Sequence, residues 1–189
     1  MDRRLVWAVT FSLGVCAVTL QRSLLPWVIL AGMGLVGIGL FLGPRLRLLP
    51  FLRSWPDGAP NANDRSCVLR IKGRYGSALL TGDVEMAAER NLLKHYGNGL
   101  KSDLLQIPHH GSKTSSTERF LTATRPHYAA LSRGVLNRFN HPDKAVVGRY
   151  QEHGAQIGDT ATDGQLSYHS LREGWEVGSF AEDWVRFWH

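Results

Sequence analysis

The chain has 189 residues, enough for one domain of ordinary size and too few for a large enzyme joined to a membrane channel. Apolar residues make up 43% and mean hydropathy is −0.17, averages that conceal a very apolar stretch over residues 1–50 ahead of a segment soluble in character. The 22 basic and 16 acidic residues leave a formal charge of +6, which favours polyanions such as DNA or anionic headgroups, although arginines beside the apolar runs supply much of the excess; two cysteines, Cys16 and Cys67, make neither a disulfide framework nor a CxxC zinc site.

Residues 5 to 20 and 23 to 43 are apolar runs bracketed by basic residues. A spanning helix needs about 20 apolar residues, so the second run qualifies on length and the first is borderline. Trp7 and Trp27 lie near run ends, where interfacial tryptophan is favoured. Residues 1 to 20 also have the charged and apolar regions of a signal peptide, but no small-x-small cleavage site follows and a second apolar run arrives at once. The expectation is a helical membrane anchor over residues 1–48. It is either a hairpin turning at Gln21-Arg22-Ser23 or one long helix preceded by an interfacial segment. A proline-punctuated stretch follows, with residues 49–60 as linker and residues 61–189 as the soluble domain. Basic flanks on both outer sides would keep both ends of a two-span anchor cytoplasmic.

Residues 66–72 and 77–82 are β-type runs joined by a turn at Gly73-Arg74-Tyr75-Gly76. Residues 84–96 are rich in helix formers, with Val84, Ala88 and Leu92 on one face and Gly97 as stop. Residues 103–107 read as a strand. Ser115-Ser116-Thr117-Glu118 matches a capping box that opens a helix to about Thr124. A strand over 127–132, a helix over 143–153 and an alternating strand over 164–171 complete a β-β-α-β-α-β-α-β order, an α/β pattern of helices against a mostly buried sheet.

Three polar clusters interrupt this scaffold: Thr81-Gly82-Asp83, His109-His110-Gly111-Ser112 and Phe139-Asn140-His141-Pro142. Each follows a predicted strand, and in α/β sheets the ligand crevice lies beyond the carboxyl ends of the strands. A carboxylate can bridge two divalent ions, imidazole nitrogen binds zinc or manganese, and two such ions can activate water and clamp a phosphodiester. Ser112, Lys113, Thr114 and Ser115 precede a predicted helix N-terminus, a natural phosphate seat. Each cluster also has a plainer reading: Asp83 as a helix cap, His109-His110 as an exposed loop pair, His141 as a turn residue.

The stretch from about Asn61 to Leu171, carrying LLTGD, HHGSKTSS and FNHP, resembles the C-terminal metallo-β-lactamase-like domain of ComEC-type DNA internalisation proteins. The tail Trp184-Val185-Arg186-Phe187-Trp188 resembles that family's aromatic-basic ending. The resemblance implies the second half of an αββα sandwich and a bacterial cell-membrane protein of DNA uptake. It implies a zinc or manganese cofactor with Asp83 as a metal ligand. His109, His110 and His141 lie at the same cleft, His109 and His141 as further ligands and Asp83, His109 and His110 as the catalytic set. The superfamily's first metal motif, HxHxDH, is absent, since no histidine precedes His95, and the family's opening strands are missing. Half a sandwich exposes a sheet edge and a core face, so dimerisation or a partner chain supplying the other half is expected. Three readings stay open. The chain is a truncated relative inactive alone, a metal-dependent nuclease completed by a partner chain, or a non-catalytic scaffold for DNA, single-stranded in the family's setting.

Overall fold

A computed structural model describes residues 5–12, 15–22, 47–48, 52–53 and 61–180, the segments before residue 61 by their backbone alone. In chain order the strands before residue 61 are β1 (Leu5–Ser12), β2 (Val15–Arg22), β3 (Arg47–Leu48) and β4 (Leu52–Arg53). There follow β5 (Cys67–Lys72), β6 (Ser77–Leu80), α1 (Met86–Tyr96), β7 (Leu104–Gln106), α2 (Glu118–Thr124) and β8 (Tyr128–Leu131). The last elements are α3 (Lys144–Glu152), β9 (Gln156–Asp159), β10 (Leu166–Leu171) and β11 (Gly174–Ser179).

β6, β7, β8 and β9 pair in parallel, and β5 adds antiparallel to β6. Each parallel step is spanned by one helix, because parallel neighbours need a crossover of a dozen or more residues. The strand residues sort by parity, as a pleated strand buried on both faces requires. Val68, Leu79, Leu105, Ala129 and Leu131 join Leu92, Phe120, Leu121, Val146 and Tyr150 of the helices in one core. Ile71, Ala78, Leu104 and Ala130 turn the other way and pack with Leu166 and Tyr168 of β10, with Tyr128 and Trp175 against them. β10 and β11 belong to a second, antiparallel sheet ordered β11-β10-β1-β2. The described residues therefore stack as helices, a mixed sheet and an antiparallel sheet.

Two expectations are corrected. Residues 5–20, read as a helical run, form the hairpin β1–β2, and β1 pairs with β10 from Trp7↔Ser170 to Phe11↔Leu166. Their β-branched and aromatic content suits extended pairing, which length and hydropathy do not discriminate. Secondly, the sheet face expected to lie bare is covered by β10 and β11 within the chain. The apolar run 23–43 and the aromatic-basic tail lie outside the described residues, among which no helix is long and apolar enough to cross a membrane. The anchor and linker boundaries likewise fall mostly outside them.

The capping box is also shifted. α2 is capped by Thr117, whose hydroxyl accepts from the Phe120 N–H (3.4 Å), while Ser115 turns inward. The sequence does not predict β9 and β11: Gln156–Asp159 is short and mostly half-exposed, and β11 carries two glycines and a single charge, Glu176, so neither shows a clear period.

Candidate functional site

The cleft is built at the carboxyl ends of β6, β7 and β8. Beyond β6, the Thr81 hydroxyl donates to the Gln106 carbonyl (2.9 Å), and the Gln106 side-chain oxygen accepts from the Thr81 and Gly82 N–H groups (3.1 and 3.3 Å). Gly82 has φ +59° and a Cβ there would sit 3.0 Å from Ser66 Cβ, so the turn is reserved for glycine. The Asp83 N–H then donates to Ser66 Oγ (3.1 Å), setting its carboxylate at the cleft.

Beyond β7, His109 and His110 both adopt left-handed backbone, with φ of 49° and 53°. Such residues cost on the order of 1–3 kcal/mol each and persist only where their surroundings fix them. The fixings are visible. The His109 N–H donates to the Gly82 carbonyl (3.1 Å), and the Ser115 hydroxyl is bonded to the Pro108 and Ser112 carbonyls (2.9 and 3.0 Å). The Asp143 N–H donates to the Gly111 carbonyl (2.9 Å), tying this loop to the one after β8.

The side chains converge. His110 Nδ1 lies 2.6 Å from the Ser132 carbonyl, which can only accept, so Nδ1 carries the proton. Its Nε2 faces Asp83 Oδ1 at 3.6 Å. His109 Nδ1 lies 3.2 Å from Glu85 Oε1 and 3.4 Å from Thr114 Oγ1. Glu85 is held in turn by Asn61 and Asn63, whose amides donate to it at 3.1 and 2.9 Å. His141 packs on His109 edge to face with centroids 5.8 Å apart, and Asn137 clamps its backbone, accepting from its N–H (2.8 Å) and donating to its carbonyl (2.9 Å). Burial, then the neighbouring His109 and His110, hold the His141 pKa below its ordinary 6.5, while Asp143 opposes them.

The structure thus brings Asp83, His109, His110 and His141 together. Of the four residues that the sequence assigns to phosphate, Thr114 meets His109 (3.4 Å), whereas the two serines turn inward. Ser115 is buried and its hydroxyl is spent on carbonyls, and Ser112 is buried against Thr114 Oγ1 (3.0 Å). Of that group Lys113 is exposed and Thr114 half-buried. Asp83 does not cap α1; Asp64 Oδ1 does, accepting from the Glu85 and Ala88 N–H groups (3.0 and 3.2 Å). Sequence reasoning also missed Glu85, Ser132 and Asn137. Glu85 had one usable signal, an acid two residues beyond Asp83; a backbone carbonyl such as that of Ser132 leaves none.

Whether the cleft suits a divalent ion follows from its donors. His110 is anchored through Nδ1, as metal-bound imidazoles usually are. Yet no three His, Cys, Asp or Glu side chains are grouped to hold a metal ion among the described residues. A hydrolytic centre needs about three protein ligands and an open position for water, so this donor set does not fit one unaided.

Fold and site together define an α/β domain with a histidine–carboxylate cleft at the carboxyl edge of a parallel sheet. No family model matches the chain. It is similar, however, to proteins of several bacteria. Over 143 residues it is 35% identical to the uncharacterized protein YcaI of Escherichia coli (strain K12), covering 75% of this chain and 19% of that one. Over 118 residues it is 40% identical to competence protein ComA of Neisseria gonorrhoeae, covering 62% and 17%. Over 126 residues it is 35% identical to ComE operon protein 3 of Bacillus subtilis (strain 168), covering 67% and 16%. The chain is a homologue of the ComEC-type competence proteins over this shared segment, consistent with their C-terminal domain. It spans less than a fifth of the length of the curated relatives it matches.

Proposed function

We propose that this chain is a ComEC-like protein of bacterial DNA uptake, held at the cell membrane, whose α/β domain engages the phosphodiester backbone of incoming single-stranded DNA at the cleft without hydrolysing it unaided. The observation that carries this reading is the meeting of Asp83, His109, His110 and His141 on a segment shared with competence proteins. The helix–sheet–sheet layering supports three layers of a metallo-β-lactamase-like αββα sandwich.

The chemistry follows from the charges. Imidazole N–H groups and Lys113 attract phosphate, whereas Asp83 and Glu85 repel it unless a cation lies between. Binding by the chain alone is therefore weak, electrostatic and salt-sensitive. Zinc or manganese would supply water activation and charge neutralisation, with Asp83, His109 and His141 among its ligands. Among the described residues those side chains are not grouped as an ion would require. A second reading, a nuclease completed by a partner chain or a second copy bearing further ligands, is favoured by the anchored Nδ1 atom of His110, which leaves Nε2 available.

Fluorescence anisotropy of a labelled single-stranded oligonucleotide over a salt series tests the proposal. Log affinity should fall linearly with log salt, at a slope of about −0.7 per phosphate neutralised, and Lys113→Ala should flatten it. Absence of binding at low salt, or affinity indifferent to salt, would defeat the reading.

A further inference from the structure

The loop joining β8 to α3 has a composition that the cleft does not explain. Val135, Leu136 and Phe139 expose 71%, 96% and 64% of their surfaces, although each is large and apolar. The loop is nevertheless fixed: Asn137 clamps His141 through two hydrogen bonds, and Asn140 is held in left-handed backbone at φ 56°. Phe139 lies nearly parallel to His141, with an interplanar angle of 18° and centroids 5.8 Å apart. The Arg138 guanidinium sits 4.8 Å from the Phe139 centroid. Between Arg133 and Pro142 there is no acidic residue.

We propose that Phe139 is a stacking platform for a nucleobase of single-stranded DNA, with Arg138 pairing with the adjacent phosphate; this rests on the DNA-binding reading above. An exposed ring held at a fixed angle loses little entropy on stacking, and every base has a π-face, so the platform tolerates any sequence. The base takes ring surface that Arg138 now covers, and the freed guanidinium moves to the backbone, for which its planar fork is suited. His141 links the platform to the cleft, since it contacts Phe139 on one side and His109 on the other, both at 5.8 Å. A base on Phe139 thereby brings its neighbouring phosphate toward His109 and His110. The absence of acidic residues along the loop favours a polyanion over a protein partner, for which the apolar tip alone would serve equally well.

The test uses the full chain and an oligothymidylate of about 12 nucleotides, within the usual span of single-strand sites, with one internal 2-aminopurine. Wild type should quench the 2-aminopurine on binding. Phe139→Ala should weaken binding about 5- to 100-fold and abolish the quench, Phe139→Trp should keep both, and Phe139→Leu should behave like alanine. Arg138→Gln should keep the quench but lower the salt slope by about 0.7. Wild-type binding that is salt-sensitive yet unchanged by Phe139→Ala, or equally well supported by leucine, would overturn the platform while leaving the DNA reading intact. Should Phe139→Ala leave DNA binding unchanged and instead abolish a concentration-dependent dimer, the loop is a protein interface and the proposal fails. No wild-type binding at low salt would defeat both.

Discussion

Glu89 enters the helix-side core from α1 and is fully buried. Its carboxylate accepts from the Ser116 and Thr117 N–H groups, the latter at 2.8 Å, and Arg149 donates to the Ser115 and Ser116 carbonyls (3.2 and 2.8 Å) from the far side. Burial raises the Glu89 pKa above 4.5, against the opposing pull of those hydrogen bonds and of Arg149. The folded protein therefore keeps this proton where the unfolded chain has released it. Stability falls as pH rises from 4.5 through the raised value, and Glu89→Gln should remove that falling limb in urea denaturation across pH. Glu89→Ala should cost on the order of 3 kcal/mol, because two buried N–H groups lose their acceptor. At His141 the sign is reversed: its midpoint, followed by NMR, should lie below 6.5, move upward in His109→Gln and downward in Asp143→Asn. Gly111 has φ +78°, and a Cβ there would meet Pro142 Cβ at 2.6 Å; Gly111→Ala should destabilise by about 1–3 kcal/mol and loosen the contact between the two histidine loops.

At the scale of elements, the chain wrote its helices and three of its four parallel strands plainly. α1 and α3 follow the spacing of Ala88–Leu92 and Val146–Tyr150, and β6, β7 and β8 each appear as a short apolar run bounded by polar turns. The cleft was legible for the same reason: three polar clusters end three such runs, and parallel strands bring their carboxyl ends to one edge. Less legible was anything set by tertiary contact. Apolar content over residues 5–20 suits a membrane helix and a strand alike, and only pairing with β10 distinguishes them. Ser115 and Thr117 both satisfy a capping pattern, and the choice falls to Thr117 because Ser115 is needed by the Pro108 carbonyl. Thr117→Ala should accordingly cost about 1 kcal/mol through the lost cap, measurable by chemical denaturation, and a variant retaining a cap, Thr117→Ser, should recover most of it.

For the whole molecule, both faces of the described sheet are covered, by helices on one side and by β10 and β11 on the other. The cleft gathers one carboxylate facing His110, a second carboxylate engaged with His109, and His141, without a three-ligand group among the described residues. On the proposed reading DNA engagement and DNA cleavage are separable, the first resting on charge and stacking, the second on a metal-ligand group that is not found among the described residues. Asp83 is half-exposed, so Asp83→Ala should leave stability within about 0.5 kcal/mol and serve as a clean probe of the cleft. The most direct measurement is cleavage of single-stranded DNA by the full chain with added manganese or zinc, beside the Asp83→Ala variant. The account predicts little cleavage by either protein, with salt-sensitive binding retained; robust cleavage by the wild-type chain that disappears with Asp83 would contradict it, and would mean that a complete metal centre assembles from this chain alone.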